Sequence, residues 1–398
     1  KIFYFNSALS YNKINDILKS SPVIYWLCNI KFVPGLLMKL PTWQYIDRNN
    51  EIILLEHHTV VEDGIPDNIL NRDITIESTR FIEADLVHYP SGGCAFILSW
   101  NHILLDAKGT TLLFEHLNLL SENKPQSFDI FFPGKEKKTN IVTYIRNMYK
   151  VKKFVQTSSK PPVSSVACTS LKTGDGKTLT KVISFNVEET KKINANAFKT
   201  GSRFGPTLYL VACCTHVINF LNHQKNKAGD IWLPIPYDGR LRGAAGPLIS
   251  NCVSFLFYRI PVNEMNTIPQ TVKCLSTQMT AQIKDGIPQR YSMFLNMMRH
   301  MPLWLYYFLI SRTGKGVFAS FLYTSTGDNF NNLKSLFGEP IRNLNMIPAL
   351  TFPPGLTFVF LKHDNELNIN IAYSPDVINN NELHLIEEKI KEILLADY

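Results

Sequence analysis

The chain has 398 residues, of which 45% are hydrophobic, 12% aromatic and 19% charged. That is too long for one ordinary core, suits two lobes of roughly 150 to 200 residues, and excludes a disordered or low-complexity protein. The formal net charge of +8 is modest over this length, and with no basic helix carrying base-stacking aromatics and no zinc-finger spacing in view, nucleic acid is not an expected partner.

The chain opens with Lys1 rather than methionine, which leaves room for a removed N-terminal segment. Strand-like pieces then alternate with loops: "EIILLEHHTVV", "TRFIEADLVHY" and "GGCAFILSW" are rich in β-branched and aromatic residues. After Gly109 the pattern turns helical, with Leu113, Leu117 and Leu120 at spacings of four and three. A polar tract containing "GKEKKT" and "SSKPPVSS" follows and reads as a crossover with one helical piece near "IVTYIRNMYKVKKFV". The second half restarts with "KVISFNVEETKKINANAF", a strand and then a helix capped by Asn186 with Glu188 and Glu189 in its first turn. "GPTLYLVACCTHVINFLNH" is apolar nearly all round and predicts a buried helix, with His216 a satisfied core residue. "DIWLPIPYDGR" and "LISNCVSFLFYRIP" read as strands, and Thr267 with Gln270 has the pattern of a capping box that opens a helix. Further strands are expected in "GVFASFLYTST", "PGLTFVFLKH" and "ELNINIAYS", before a last helix carrying Leu383, Ile386, Ile390 and Leu394. These elements divide the chain into an N-terminal lobe at 1–120, a crossover at 121–177 and a C-terminal lobe at 178–398.

The cysteines are Cys28, Cys94, Cys168, Cys213, Cys214, Cys252 and Cys274, an odd number in apolar surroundings without a Cys-x-x-Cys pair. They read as buried reduced thiols in a reducing, cytoplasmic compartment, with no disulfide scaffold and no metal site. No stretch reaches the roughly eighteen apolar residues of a spanning helix. The Met- and aromatic-rich segment 287–312, with Arg290, Arg299, His300 and Arg312, reads either as a core helix pair or as a lipophilic substrate channel set against the inner face of an anionic membrane.

One stretch carries chemistry. In "SWNHILLDAKG" a histidine and an aspartate stand four residues apart where a strand ends and a glycine-containing turn opens a helix, and among the ten histidines only His102 has an aspartate at that spacing. His57 and His58 in "EHHTVVEDG" look similar at a glance, but Asp63 lies one residue too far from His58, and the segment reads as a strand end followed by a turn at Gly64.

"WNHILLDAKG" resembles the HHxxxDG signature of the chloramphenicol acetyltransferase-like superfamily, which includes nonribosomal peptide condensation domains, wax ester synthases and plant HxxxD acyltransferases. "IPYDGRLRGAAGPLISNCVSFLFYR" is similar to the condensation-domain segment with Gly-Arg, Gly, Asn and a strand-end Arg, and "SFLYTSTGD" sits where members carry a tunnel-lining Ser or Thr. The order of elements agrees from about Asp67 to the C-terminus. Asn101 replaces the first histidine, Ala107 and Lys108 separate Asp106 from Gly109, and the plant DFGWG is missing, its nearest counterpart being "SLFGEP". These departures argue against a standard condensation domain and a plant-type enzyme.

The resemblance implies an α/β, two-lobed chloramphenicol acetyltransferase-like fold, each lobe a mixed sheet flanked by helices, with His102 in a tunnel at the interface. It implies acyl transfer from a coenzyme A or carrier-protein thioester to an alcohol, with no tightly bound cofactor and no metal. His102 is then the general base, since a neutral imidazole suits proton removal near neutral pH. Ser325, or Thr324 or Thr326 beside it, would face the oxyanion, with a main-chain N–H near Gly109 as the alternative. Asp106 would pair with Arg240 and hold the loop in shape, while Asn101, Gly109, Asn251, Thr324 and Thr326 would line the tunnel; for Asn251 a structural bond across the lobes is the stronger expectation. Amide formation, a non-catalytic carrier-protein binder and a lipid-binding module through 287–312 stay open as alternatives.

Overall fold

The computed structural model describes residues 1–33, 42–46, 55–124, 140–167, 178–240, 249–298, 319–348 and 350–398. The chain begins with "KIFYF", which forms β1 (Ile2–Phe5) and buries Ile2, Phe3 and Phe5. Two helices follow, α1 (Tyr11–Ser20) and α2 (Pro22–Cys28), each opened by a serine whose hydroxyl accepts a first-turn N–H, Ser10 from Lys13 and Ser21 from Ile24. Strands β2 (Ile30–Val33) and β3 (Thr42–Tyr45) make a small ribbon, and β4 (Leu55–Thr59), α3 (Asp67–Leu70), β5 (Ile82–His88), β6 (Cys94–Trp100) and α4 (Ala107–Ser121) complete the first half.

Next in the chain is α5 (Ile141–Ser158). Then come β7 (Leu179–Phe185) and α6 (Val187–Lys199), the latter started by a complete capping box between Asn186 and Glu189. Helix α7 (Thr207–Gln224) is apolar nearly all round because it runs through the second core. Next are β8 (Ile231–Asp238), β9 (Val253–Ile260), α8 (Ile268–Lys284) and α9 (Ile287–Met298). The box expected at α8 is half formed: Thr267 accepts the Gln270 N–H, but the Gln270 side chain donates to the Asn263 carbonyl, which a short turn brings within 3.0 Å. The last elements are β10 (Leu322–Ser325), the short β11 (Ser335–Leu336), β12 (Glu339–Pro340) and β13 (Asn343–Asn345), then β14 (Leu356–His363), β15 (Glu366–Tyr373) and α10 (Asn380–Leu394).

Two mixed sheets organise these elements. The first has the order β13-β1-β6-β5-β4, with β4 and β5 parallel and the rest antiparallel; the second has β10-β14-β15-β7, with β10 and β14 parallel. Each has its own core, and the β13 pairing carries a strand of the C-terminal half into the first sheet. Phe330, Leu333, Leu336, Phe337, Ile341 and Leu344 likewise pack into the core that holds Phe3, Phe96 and Phe114. Strands β8 and β9 form a separate antiparallel ribbon with Asp238 opposite Val253, so the residues just after β8 and just before β9 leave the same end. That end reaches the loop after β6.

Among the described residues six cysteines are free; Cys28, Cys94, Cys213 and Cys214 are buried, whereas Cys252 and Cys274 are partly exposed rather than fully buried. Cys168 lies outside the described residues. No helix among the described residues is long and apolar enough to cross a membrane.

Candidate active site

The loop that follows β6 is fixed by its own side chains. Asn101, only 9% exposed, accepts the Ile103 N–H through Oδ1 at 3.0 Å and donates through Nδ2 to the Ile74 carbonyl at 2.6 Å. Leu104 and Leu105 are buried beneath the turn. The Leu105 carbonyl receives two donors, the Trp100 indole N–H at 3.1 Å and the His102 Nδ1 at 3.0 Å. A carbonyl oxygen can only accept, so the proton of neutral His102 sits on Nδ1 and Nε2 carries the lone pair. The His102 side chain is exposed. Its ring is therefore held in the tautomer of a base whose free nitrogen is Nε2.

Asp106 ends the loop and caps α4, its Oδ1 accepting the Gly109 N–H at 2.7 Å. Arg240 donates to both carboxylate oxygens, Nη2 to Oδ1 at 2.8 Å and Nη1 to Oδ2 at 2.9 Å, and the Cys252 N–H reaches Oδ2 at 2.8 Å. Four donors thus fill the carboxylate, leaving it no free lone pair to turn toward a reacting group. The pair is nearly shut off from water, with Arg240 11% and Asp106 8% exposed. Burial alone would lower the Arg240 pKa; hydrogen bonding to Asp106 and its charge more than reverse this, and hold the guanidinium above its ordinary range.

Arg240 and Cys252 come from the end of the β8–β9 ribbon, and two glycines let the backbones close. A Cβ on Gly109 would collide with the Ser250 carbonyl oxygen, and one on Gly239 would lie 2.6 Å from that of Cys252. Asn251, between these contacts, donates from Nδ2 to the His102 carbonyl at 2.8 Å and accepts the Val253 N–H at 3.1 Å. The histidine loop of the first half is in this way clamped by the second half at Asp106 and at His102 itself.

The same arrangement of sheets occurs in known structures. Trichothecene 15-O-acetyltransferase TRI3 from Fusarium sporotrichioides superposes with a TM-score of 0.73 at 12% identity, over 99% of this chain and 90% of that one. The first condensation domain of the CDA synthetase gives 0.66 at 14% identity over 99% and 90%. The epimerization domain from the third module of tyrocidine synthetase B gives 0.66 at 12% over 99% and 89%. This is the chloramphenicol acetyltransferase-like fold. No family model matches the sequence, and no curated protein matches it either.

Within this fold, the remaining residues singled out from the sequence are placed as follows. Ser325 ends β10, partly exposed, with Oγ accepting the Gly327 N–H at 3.1 Å. Thr324 is partly exposed, and Thr326 is buried with its N–H on the Phe360 carbonyl at 2.9 Å. No hydrogen bond among the described residues joins this trio to the His102 loop. Of the main-chain N–H groups near Gly109 weighed as oxyanion donors, that of Gly109 itself is already spent on Asp106. Asn101 and Asn251 direct their amides at backbone groups of the loop and the ribbon. His216 on α7 is partly buried rather than fully in the core, and its Nε2 lies 3.0 Å from Thr271 Oγ1 of α8.

His57 and His58 lie on β4. His58 Nε2 meets Asp85 Oδ1 at 2.9 Å, and Arg72 occupies both oxygens of the same carboxylate at 2.7 and 3.0 Å. Glu56, His58 and Asp85 have the spacing of a metal site, but the bidentate guanidinium already takes the buried carboxylate. Of the segment 287–312, α9 turns Tyr291 and Phe294 onto Phe255, Phe257 and Phe154. Residues 299–312 lie outside the described residues, as does "LRGAAGPL" at 241–248.

Sequence reasoning missed three contributors: the Leu105 carbonyl, the Trp100 indole and the Cys252 N–H. Trp100 stood within the signature and could have been suspected. The two backbone groups leave no mark in a sequence.

Proposed function

We propose that the protein transfers an acyl group from a thioester, on coenzyme A or on a carrier-protein phosphopantetheine arm, to an acceptor hydroxyl, with His102 as general base. The observation that carries this reading is the exposed His102 ring, whose Nδ1–H is committed to the Leu105 carbonyl so that Nε2 is the basic nitrogen. Nε2 takes the acceptor O–H proton as the oxygen attacks the thioester carbonyl. The tetrahedral intermediate collapses with cleavage of the C–S bond, and the imidazolium returns the proton to the leaving thiolate. No enzyme nucleophile is needed, because the thioester is already activated. The side chain proposed for the oxyanion is Ser325, which has a hydroxyl proton to give while its oxygen accepts from Gly327.

Asp106 in this reading is a positioning residue. Its four hydrogen bonds shape the loop and leave it no proton-transfer role. The oxygen acceptor is part of the proposal; structures with this fold include an O-acetyltransferase as well as condensation domains. A lipophilic or aryl acyl group is proposed on the sequence of 299–312 alone.

The deciding experiment measures thiol release from a panel of acyl-coenzyme A and acyl-carrier thioesters with mixed alcohols and amines, for the native protein and for His102→Ala. Release that depends on an alcohol and disappears in the variant is expected. Release driven by amines in place of alcohols would move the reaction to amide formation. Native protein as inactive as the folded variant across the panel would leave a binding or scaffolding role.

A further inference from the structure

Helix α5 has two apolar faces, and only one of them has a partner among the described residues. Val151, Phe154 and Val155 pack against β9 and α9, and the Tyr144 hydroxyl donates to the Met293 carbonyl at 2.9 Å. On the opposite side, Val142, Ile145 and Tyr149 follow a helical spacing of three and four and are 69%, 55% and 66% exposed. Exposed Arg146, Lys150 and Lys153 flank this stripe on one side and Lys152 on the other. None of the four forms an ion pair among the described residues, and the sequence from 141 to 158 contains no Asp or Glu. The sequence reading found no basic helix carrying aromatics; α5 is one, its character hidden because its two apolar faces overlap in the linear pattern.

We propose that this outer face of α5 docks on an anionic lipid surface. Apolar side chains along the centre, two aliphatic and one tyrosine, with cations on the flanks suit a helix lying in a membrane interface, where the apolar stripe enters the acyl boundary and the basic side chains reach the headgroups. Nucleic acid would call for cations along the centre of the face, where Val142 and Ile145 stand. The sequence had pointed to 287–312 for such a contact, but the described part of that segment turns its rings inward, and the exposed stripe belongs to α5. The inference does not depend on the proposed chemistry.

The test is co-sedimentation of the full chain with phosphatidylcholine vesicles, with and without phosphatidylglycerol. Binding is expected only to the anionic vesicles, and it should weaken with added salt. The variant Val142→Gln/Ile145→Gln/Tyr149→Gln should lose roughly tenfold or more of that binding. Arg146→Gln/Lys150→Gln/Lys153→Gln should lose roughly a hundredfold, and Lys13→Gln/Lys19→Gln/Lys191→Gln, which removes equal charge elsewhere, should keep most of it. All substituted residues are exposed, so thermal melting should stay at the native value and thiol release from water-soluble substrates should be unaltered. Absence of binding to anionic vesicles, equal binding by native protein and both α5 variants, or retention of an oligonucleotide in place of vesicles would each overturn the proposal.

Discussion

A carboxylate can accept about four hydrogen bonds, and Asp106 receives four: two from Arg240, one from the first turn of α4 and one from Cys252. Replacing it by asparagine removes the charge and turns an N–H₂ toward groups that are themselves donors. We predict that Asp106→Asn costs about 3 kcal/mol of stability, the usual range for leaving one partner of a buried pair uncompensated, and that it lowers kcat as well. Denaturant midpoints measured beside turnover would check this. His102→Ala provides the contrast: the ring is exposed and its one bond is to a nearby carbonyl, so turnover should vanish while the midpoint barely moves. A second prediction concerns Gly109, where a methyl group would collide with the Ser250 carbonyl. Gly109→Ala must push the β8–β9 end away, and we expect about 2 kcal/mol of destabilisation or more with activity lost through a displaced Arg240. Unchanged melting and turnover in that variant would show that the loop has slack it does not display. The aspartate–arginine pair was legible through family likeness, whereas the capping role and the Cys252 N–H were not. Both are backbone partnerships, and every residue type supplies the same N–H.

The helices α6 and α10 were read correctly because each buries a single stripe of residues, while β6 and α7 were found from continuous apolar runs, being buried nearly all round. β1 escaped notice because it has only four residues, three of them buried, and a strand that short is recognised only through its neighbours β6 and β13. Helix α5 was seen as a helix but not as a surface, since its exposed and buried apolar residues merge into one hydrophobic run. Histidines within these elements give a third prediction. His216 on α7 donates to Thr271, and His363 at the end of β14 donates to the Leu333 carbonyl. Burial lowers the pKa of both below the ordinary histidine value. Above about pH 6.5 both are neutral in folded and unfolded chains alike. As the pH falls below that value, the unfolded chain takes up protons first, so stability is lost on acidification. Urea midpoints should drop between neutral pH and mildly acidic conditions. His363→Gln keeps a donor for Leu333 without a titrating ring, and it should flatten that slope. An identical slope in the variant would mean that His363 is not the group being charged.

The two halves of the molecule are tied together twice. At the front, Arg240, Asn251 and Cys252 hold the histidine loop; in the first sheet, β13 of the C-terminal half pairs with β1 and sends Leu344 into the core. The sequence division at residue 178 could not show the second tie, because β11, β12 and β13 have only two or three residues each and fall below any period. A chain built this way should not unfold lobe by lobe. We predict one cooperative transition, which hydrogen exchange can resolve: the slowest amides of β5 and β6 should open with the same free energy as those of β14 and β15. Leu344 is fully buried, and Leu344→Ala should cost about 2 to 5 kcal/mol through lost contacts and the cavity left behind. In a joined molecule that loss appears equally in both sheets. If exchange in β14 and β15 kept its native value while β5 and β6 were weakened, the halves would be separately stable units. The front clamp alone would then have to hold the histidine loop in register with the second half.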